Sequence, residues 1–274
     1  MTVYRGTFSA KKSLSQNFLT SPAIAEQVAE AAELGPSDVV VEIGSGQGIL
    51  TIELVKRAGE VIAIEKDRRL APLLTEKFAD TIKTRKLKVI EGDILDFDTS
   101  SLAGYKVVGN IPYNITGEIL RSFLSRANQP TSMTLMVQKE VAERIMARDG
   151  KESVLSLSVK AYGSPRIVRK VSAGSFSPKP KVDSAIIHIS GISRQFFSAK
   201  GGSASGGKDL SEERFFKLVK AGFAHKRKQL WGNLSEGESK FRLELCWNSL
   251  SLLPTARAEE LTLEKWRALA LCLT

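Results

Sequence analysis

Between residues 21 and 190 the sequence alternates short apolar runs with helical patterns, and this alternation constrains the fold more than any other feature. The run Asp38–Ile43 is rich in β-branched residues, which is typical of a strand covered on both faces. Ser21 followed by Pro22 predicts the start of a helix that continues to about Glu33. Strands and helices that alternate at this spacing predict an α/β fold built on a mostly parallel sheet.

The other elements follow from the same two periodicities. No convincing helix separates the last two candidate strands, so we expect an antiparallel hairpin at one edge of the sheet. The further candidate strands are 61–64, 87–90, 106–108, 134–137, 166–171 and 185–189, and the candidate helices are 48–57, 67–80, 116–127 and 139–148.

The composition changes at residues 198–208, where Gly and Ser dominate, as in a flexible linker. Beyond it, residues 209–274 show only helical periodicity, which predicts a small all-α domain. The predicted organisation is therefore a first domain over 1–197, a linker over 198–208 and a helical domain over 209–274.

The chain is 274 residues long and carries a formal net charge of +10, which favours a polyanionic partner. The basic residues recur in three separate regions rather than as one solvated face. Residues 1–20 contain Lys11 and Lys12 but no acid, residues 139–181 hold ten Lys or Arg against four acids, and residues 225–228 read His-Lys-Arg-Lys.

Several classes of protein are disfavoured by composition. No window approaches the roughly 18 apolar residues of a membrane span, and no signal peptide is apparent. Cys246 and Cys272 are the only cysteines, and His188 and His225 are the only histidines. We therefore expect no disulfide scaffold, no metal site and a cytoplasmic location. A monomer is expected, because no self-association motif appears.

A glycine turn follows the first strand of the alternating region. Gly44, Gly46 and Gly48 form a GxGxG sequence that permits a tight turn and close approach of a ligand to the backbone. Glu65 ends the next strand, where a carboxylate can accept from both ribose hydroxyls of a nucleoside. Many α/β folds have tight glycine turns, so the turn alone is weak evidence. The turn and Glu65 together favour a nucleoside-containing cofactor. The third spaced glycine of the dinucleotide fingerprint is missing, which counts against NAD or FAD.

Asp93 follows the third strand and Asn110 ends the fourth. Ligands of open α/β sheets bind at the carboxyl ends of the strands, so Gly44, Glu65, Asp93 and Asn110 are predicted to converge on one crevice. Asp93 can accept from an adenine amino group, although a turn or cap role is equally consistent with it alone.

The tetrapeptide Asn110-Ile111-Pro112-Tyr113 places two acceptors and an aromatic ring within one turn of chain. Proline disfavours the helical region for Ile111, so its carbonyl is expected to be free to accept. An Asn side-chain oxygen and a carbonyl suit a flat amino group, and the ring suits the face of a base. A strand-ending turn would explain the tetrapeptide equally well if its neighbours were ignored.

Together these motifs resemble the KsgA family of ribosomal RNA adenine N6,N6-dimethyltransferases, which is related to the Erm antibiotic-resistance methyltransferases. The resemblance covers nearly the whole chain, from Ser13–Leu19 through Phe176–Ser184 to the C-terminal helices, and residues 254–262 favour the KsgA branch over Erm. Two positions depart from the family pattern. Ser15 occupies a position where Gly is usual. Where the family usually has Arg-Arg-Lys-Thr-Leu, this chain has Lys226-Arg227-Lys228-Gln229-Leu230.

The resemblance implies a Rossmann-like methyltransferase domain that uses S-adenosylmethionine, and a C-terminal helical domain that recognises RNA. It also implies roles for individual residues. Those expected around the cofactor are Asn17, Leu19, Gly44, Gly46, Glu65, Asp93 and Asn110; those at the acceptor base are Asn110, Ile111, Pro112, Tyr113 and Phe176; those on RNA are Lys11, Lys12, Lys226, Arg227 and Lys228. Packing in the core is the competing explanation for Phe176.

The function that the resemblance implies is dimethylation of two adjacent adenines in the 3′-terminal hairpin of 16S ribosomal RNA, within the 30S subunit or its precursor, as part of ribosome biogenesis. An Erm-like enzyme acting on 23S ribosomal RNA is one alternative. A ribosome-assembly factor that acts chiefly by binding is another. A DNA adenine methyltransferase is less favoured, since its acceptor motif usually begins with Asp.

Overall fold

The structure is a computed structural model that describes residues 10–11, 14, 16–147, 150–198 and 209–274. These residues form two compact units, each considered by itself. The first comprises the described residues up to Ala142 together with Arg166–Ser190, and the second comprises Glu143–Pro165 with the described residues from Gly191 to Thr274.

The strands and helices fall close to the positions that the periodicities predict. The strands are β1 (Phe18–Leu19), β2 (Val39–Ile43), β3 (Glu60–Glu65), β4 (Leu87–Glu91), β5 (Lys106–Asn110), β6 (Ser132–Gln138), β7 (Ser164–Val171), β8 (Phe176–Ser177) and β9 (Ser184–Ser190). The helices are α1 (Pro22–Ala31), α2 (Ile49–Arg57), α3 (Ala71–Lys77), α4 (Ala79–Lys83), α5 (Thr116–Ser125), α6 (Lys139–Met146), α7 (Val154–Lys160), α8 (Glu212–Gly222), α9 (Leu230–Leu234), α10 (Lys240–Ser249) and α11 (Leu263–Cys272).

A seven-stranded sheet with the order β4-β3-β2-β5-β6-β9-β7 forms the centre of the first unit. The pairs β2–β3, β3–β4, β2–β5 and β5–β6 are parallel, whereas β9 runs antiparallel to β6. Strands β3 and β4 are added in sequence on one side of β2, and the chain then returns to place β5 on the other side of β2. The carboxyl ends of β2 and β5 therefore flank a switch point, which is where open α/β sheets bind ligands.

Close packing of β2 against β5 depends on a glycine. A Cβ added to Gly109 would lie 2.8 Å from the carbonyl oxygen of Ile43 and 2.9 Å from its Cβ. Because the first of these atoms is backbone, it cannot move aside as a flexible side chain could. This glycine therefore lets the two central strands pair just below the position of Asn110.

A second, two-stranded sheet holds the N-terminal segment in place. In it, β1 runs antiparallel to β8, with Phe18 opposite Ser177 and Leu19 opposite Phe176. Ser21 then caps α1 by accepting from the backbone N–H of Ile24 at 3.4 Å, as predicted. This small sheet, like α7, has too short a pattern for its elements to be recognised in the sequence.

The predicted helix 67–80 begins later, at Ala71, and is interrupted before Ala79. The reason lies in Asp67, whose side chain accepts from the backbone N–H of Arg69 while its carbonyl accepts from the N–H of Leu70. Such local bonds satisfy the backbone in a turn and compete with the first turn of a helix.

The second unit has an aromatic interior. Phe196 and Phe197 pack against Phe215 with ring centroids 5.2 and 5.8 Å apart, and Tyr162 packs against Phe197 at 5.3 Å. These contacts explain why residues 143–165 and 191–198 group with the C-terminal helices, whereas the sequence-based boundary assigned nearly all of them to the first domain.

The helical unit contains one disulfide, although the composition predicts no disulfide scaffold. Cys246 of α10 and Cys272 of α11 form a disulfide, with their Cα atoms 5.7 Å apart. The sequence separation of 26 residues gave no indication that these two helices pack side by side. No helix in the described parts of the chain is long and apolar enough to cross a membrane.

Candidate active site

A cleft opens at the carboxyl ends of β2, β3, β4 and β5. The predicted residues Gly44, Glu65, Asp93 and Asn110 all line it, so the structure brings together the four positions that the strand order placed at one edge. The lining comprises Leu14, Gln16, Asn17, Phe18, Ile43, Gly44, Gly46, Ile64, Glu65, Lys66, Gly92, Asp93, Ile94, Asn110, Ile111, Pro112, Asn114 and Ile115.

The glycine turn and Glu65 are joined by a hydrogen bond. Gly44 and Gly46 have φ values of +67° and +57°, which glycine adopts without strain. The N–H of Gly46 donates to Oε2 of Glu65 at 2.7 Å, and the N–H of Asp67 donates to Oε1 at 2.8 Å. Each carboxylate oxygen keeps acceptor capacity beyond these bonds, so Glu65 is held in place and can still bind hydroxyl groups.

The two acidic residues of the cleft differ electrostatically. Burial raises the pKa of Glu65 and outweighs the hydrogen bonds from Asp67 and Gly46. Burial also acts to raise the pKa of Asp93, but hydrogen bonds from Lys66 and from the N–H of Leu95 outweigh it, so the pKa lies below its usual value. The Lys66 ammonium that pairs with Asp93 was not predicted from the sequence.

Asn110 has a defined orientation. Its Nδ2 donates to the backbone carbonyl of Asn17 at 2.9 Å. Because a carbonyl can only accept, this bond fixes which end of the amide points away, and Oδ1 is left to accept from another group. Ile111 and Pro112 line the cleft beside it.

Tyr113 and Phe176 differ in their positions. Tyr113 begins a short 3₁₀ turn between the lining residues Pro112 and Asn114, and its hydroxyl lies 2.6 Å from Oγ of Ser184. Burial raises its pKa, so it stays a neutral phenol. Phe176 is only 4% exposed, belongs to the hydrophobic core of the first unit and is not among the residues that line the cleft. Leu19, its partner across the small sheet, is likewise a core residue rather than a lining one.

The predicted RNA-contacting residues divide into two groups. Lys226, Arg227 and Lys228 are exposed in the loop between α8 and α9, and Lys228 forms an ion pair with Glu236 at 3.0 Å. Lys11 instead pairs with Asp67 at 3.5 Å. Lys12 and Ser15 lie outside the described residues. Gln229 immediately precedes α9 and makes no side-chain capping bond there.

The cleft has the chemistry of a nucleoside site. The apolar residues Ile64 and Ile94 line the cleft together with the acidic residues Glu65 and Asp93, a combination that suits a flat base and its hydroxylated sugar. The glycine turn leaves backbone rather than side chains at the edge of β2. These residues fit an adenosine-containing cofactor.

Comparison with known proteins identifies the family. The profile of the family described as "Ribosomal RNA adenine dimethylase" matches residues 7–274. The chain belongs to the ribosomal RNA adenine dimethylase family. This membership confirms the fold class, the methyltransferase activity and S-adenosylmethionine as the cofactor.

Individual proteins are similar to this chain over most of their length. A "Ribosomal RNA small subunit methyltransferase A" of Dehalococcoides mccartyi is 42% identical over 97% of this chain and 89% of its own length. The structure of the 23S rRNA methyltransferase ErmE has a TM-score of 0.75 and 29% identity, and the match covers 94% of this chain and 99% of ErmE. A dimethyladenosine transferase from Plasmodium falciparum has a TM-score of 0.74 and 27% identity, with coverage of 92% and 95%.

Proposed function

We propose that this dimethylase converts two adjacent adenines near the 3′ end of 16S ribosomal RNA to N6,N6-dimethyladenine, on the 30S subunit or its precursor in the cytoplasm, and that it acts as a monomer. One observation supports the catalytic part of this proposal, namely the orientation of Asn110. Its amide nitrogen donates to the carbonyl of Asn17, which leaves its side-chain oxygen to accept from the substrate amine. The relative named as a small-subunit enzyme, at 42% identity, supports the choice of RNA.

When bound, S-adenosylmethionine supplies an electrophilic methyl group on a sulfonium sulfur. The chain's own residues have to hold it and present the amine. In this proposal Glu65 accepts from the ribose hydroxyls, Asp93 accepts from the cofactor's adenine amino group, and the turn at Gly44 and Gly46 allows close approach. Asn17 forms part of the cleft wall at the acceptor side.

The exocyclic amine of adenine is a weak nucleophile, because its lone pair is delocalised into the ring. In the first transfer Oδ1 of Asn110 and the carbonyl of Ile111 accept hydrogen bonds from its two N–H groups, draw the nitrogen toward tetrahedral geometry and aim its lone pair into the cleft. Each transfer exchanges one proton of the amine, released to solvent, for a methyl group. In the second transfer the monomethylated amine has a single N–H left and rotates to present its lone pair again. Tyr113 stacks on the extruded base. Positioning and electrostatics then provide most of the rate, and no strong base is needed before attack.

The test is methyl transfer from radiolabelled cofactor to separated small and large ribosomal subunits that lack the modification, with the labelled nucleotides mapped. We expect label in the small subunit only, on two neighbouring adenines that each gain two methyl groups. The structural similarity to ErmE makes the large subunit the second candidate, and label confined to it would overturn the choice of RNA. Tight binding to small subunits without label would favour the assembly-factor function.

A further inference from the structure

Asp67 is a buried carboxylate that none of the proposed catalytic roles uses. Its residue is 1% exposed, and it follows Glu65 by two positions on the turn after β3. The Arg69 guanidinium lowers its pKa well below the usual value, with a further contribution from Gln16, so the group is an anion at neutral pH. A buried anion with several donors around it fixes the geometry of those donors.

The donors include the N-terminal segment. Nε2 of Gln16 donates to Oδ2 of Asp67 at 3.1 Å, and Nζ of Lys11 lies 3.5 Å from Oδ1. Gln16 also accepts from the backbone N–H of Lys11 at 2.8 Å through its Oε1. The amide of Gln16 thus lies between its own segment and Asp67. We call the described residues Lys11, Leu14, Gln16 and Asn17 the strap, since three of them line the cleft.

The strap connects the two halves of the cleft. At one end Gln16 bonds to Asp67, whose backbone N–H donates to Glu65 on the cofactor side. At the other end the carbonyl of Asn17 accepts from Asn110 on the acceptor side. A displacement of Gln16 would therefore shift a wall of the cofactor cleft and the carbonyl that orients Asn110.

We infer that Asp67 is a positioning residue that holds the strap closed over the cofactor cleft through Gln16. The inference rests on the proposed function only in taking the cleft as the S-adenosylmethionine site. It assigns to Asp67 no contact with the cofactor. Its consequence is that loss of the Gln16–Asp67 bond opens the strap and weakens cofactor binding, with a smaller effect on the rate of methyl transfer at saturating cofactor.

A charge swap provides the test. Gln16→Glu places a second carboxylate against Asp67, so the strap should be repelled. Adding Asp67→Asn to the same chain supplies an amide that donates to the carboxylate introduced at position 16, and this restores the bond. Asp67→Asn alone keeps an oxygen that can accept from Gln16 and should have an intermediate effect. Asp80→Asn is the matched control, because Asp80 is an exposed aspartate that pairs with Lys83 on α4.

Two measurements distinguish positioning from general stability. Hydrogen exchange of the peptide covering residues 14–20, in the absence of cofactor, should become faster in Gln16→Glu and return to the wild-type rate in the double variant with Asp67→Asn. The dissociation constant for S-adenosylmethionine should rise about tenfold or more in Gln16→Glu, as expected for a lost hydrogen bond to a charged group, and should recover in the same double variant. KM for the cofactor should follow it, with kcat changing less.

Several results would overturn the inference. One is a Gln16→Glu protein with a lower melting temperature but unchanged exchange at the strap and unchanged cofactor affinity. Another is rescue by Asp80→Asn as effective as rescue by Asp67→Asn. If Gln16→Glu folds poorly, Gln16→Met removes the donor without adding charge and should act in the same direction. A wild-type protein that binds no S-adenosylmethionine would refute the proposed function, while the exchange measurement would still decide whether Asp67 holds the strap.

Discussion

The two units of the molecule use charge in opposite ways. In the sheet unit several carboxyl groups are buried and each is held by specific hydrogen bonds: Glu42, Glu65 and Asp67 are at most 5% exposed and accept from Thr51, the backbone of Gly46, and Gln16, respectively. In the helical unit the basic residues 225–228 are exposed on a loop, and the interior is aromatic. The effect of a buried hydrogen-bonded group depends on one specific geometry, whereas exposed basic residues attract a polyanion through their total charge. Single substitutions should therefore have large effects in the first unit and small, additive effects in the second.

The largest effect is expected at Asn110. Asn110→Ala removes the acceptor for the substrate amine, so kcat should fall on the order of 10²- to 10³-fold, the usual result of deleting one preorganised electrostatic partner. Single-turnover methyl transfer measures the loss, and RNA affinity should remain close to that of the wild type. Asn248→Ala, at an exposed position on α10, serves as the control. Normal turnover in the Asn110 variant would show that the oxygen is not part of the reaction.

Much of this unit could be predicted from the sequence, because its signals are local. β-branched runs with intervening helices determine a parallel sheet, and a parallel sheet brings the ends of its strands to one edge. Gly44, Glu65, Asp93 and Asn110 follow from that rule alone. The hydrogen bond between Gly46 and Glu65 likewise joins the ends of two neighbouring strands, β2 and β3.

Other features depend on side-chain contacts between segments that are distant in the sequence, and no periodic pattern in the sequence indicates them. The bond between Gln16 and Asp67 spans 51 positions. The sequence around Phe176 shows an aromatic residue beside prolines, and its burial at 4% exposure follows from the pairing of β1 with β8, which no local pattern indicates. The pairing of Cys246 with Cys272 depends on how α10 packs on α11, which amphipathic patterns do not specify.

A second prediction concerns Glu42, which lies fully buried and accepts from Oγ1 of Thr51 at 2.7 Å. Burial raises its pKa from the ordinary 4.5 to about 7. The folded protein therefore binds this proton more tightly than the unfolded chain does. The stabilisation is complete below pH 4.5 and is lost as the pH rises through about 7, amounting to roughly 3 kcal/mol of unfolding free energy.

Glu42→Gln should remove that pH dependence. Urea unfolding at about pH 5 and about pH 8 should show a smaller fall for the variant than for the wild type, and the variant should be the more stable protein at the higher pH. Glu76→Gln, on the exposed face of α3, should change neither value appreciably. If the wild type and Glu42→Gln lost the same free energy between the two pH values, the buried charge would not be the cause.

The smallest effects are expected in the helical unit, where the comparison between the units can be tested most directly. If Lys226 and Arg227 contact phosphates, Lys226→Ala and Arg227→Ala should each weaken RNA binding severalfold and lower the slope of log affinity against log salt by about 1. Lys228→Ala should have less effect, because the charge of Lys228 is already paired with Glu236.

Binding measured between roughly 50 and 200 mM salt gives the slope, and Lys265→Ala, which replaces an exposed lysine on α11, controls for net charge. Since each of these variants leaves the cleft unchanged, kcat at saturating RNA should stay at the wild-type value. An equal loss in Lys265→Ala would mean that the unit attracts RNA only through its overall charge, and a fall in kcat for Lys226→Ala would mean that the basic loop also positions the base.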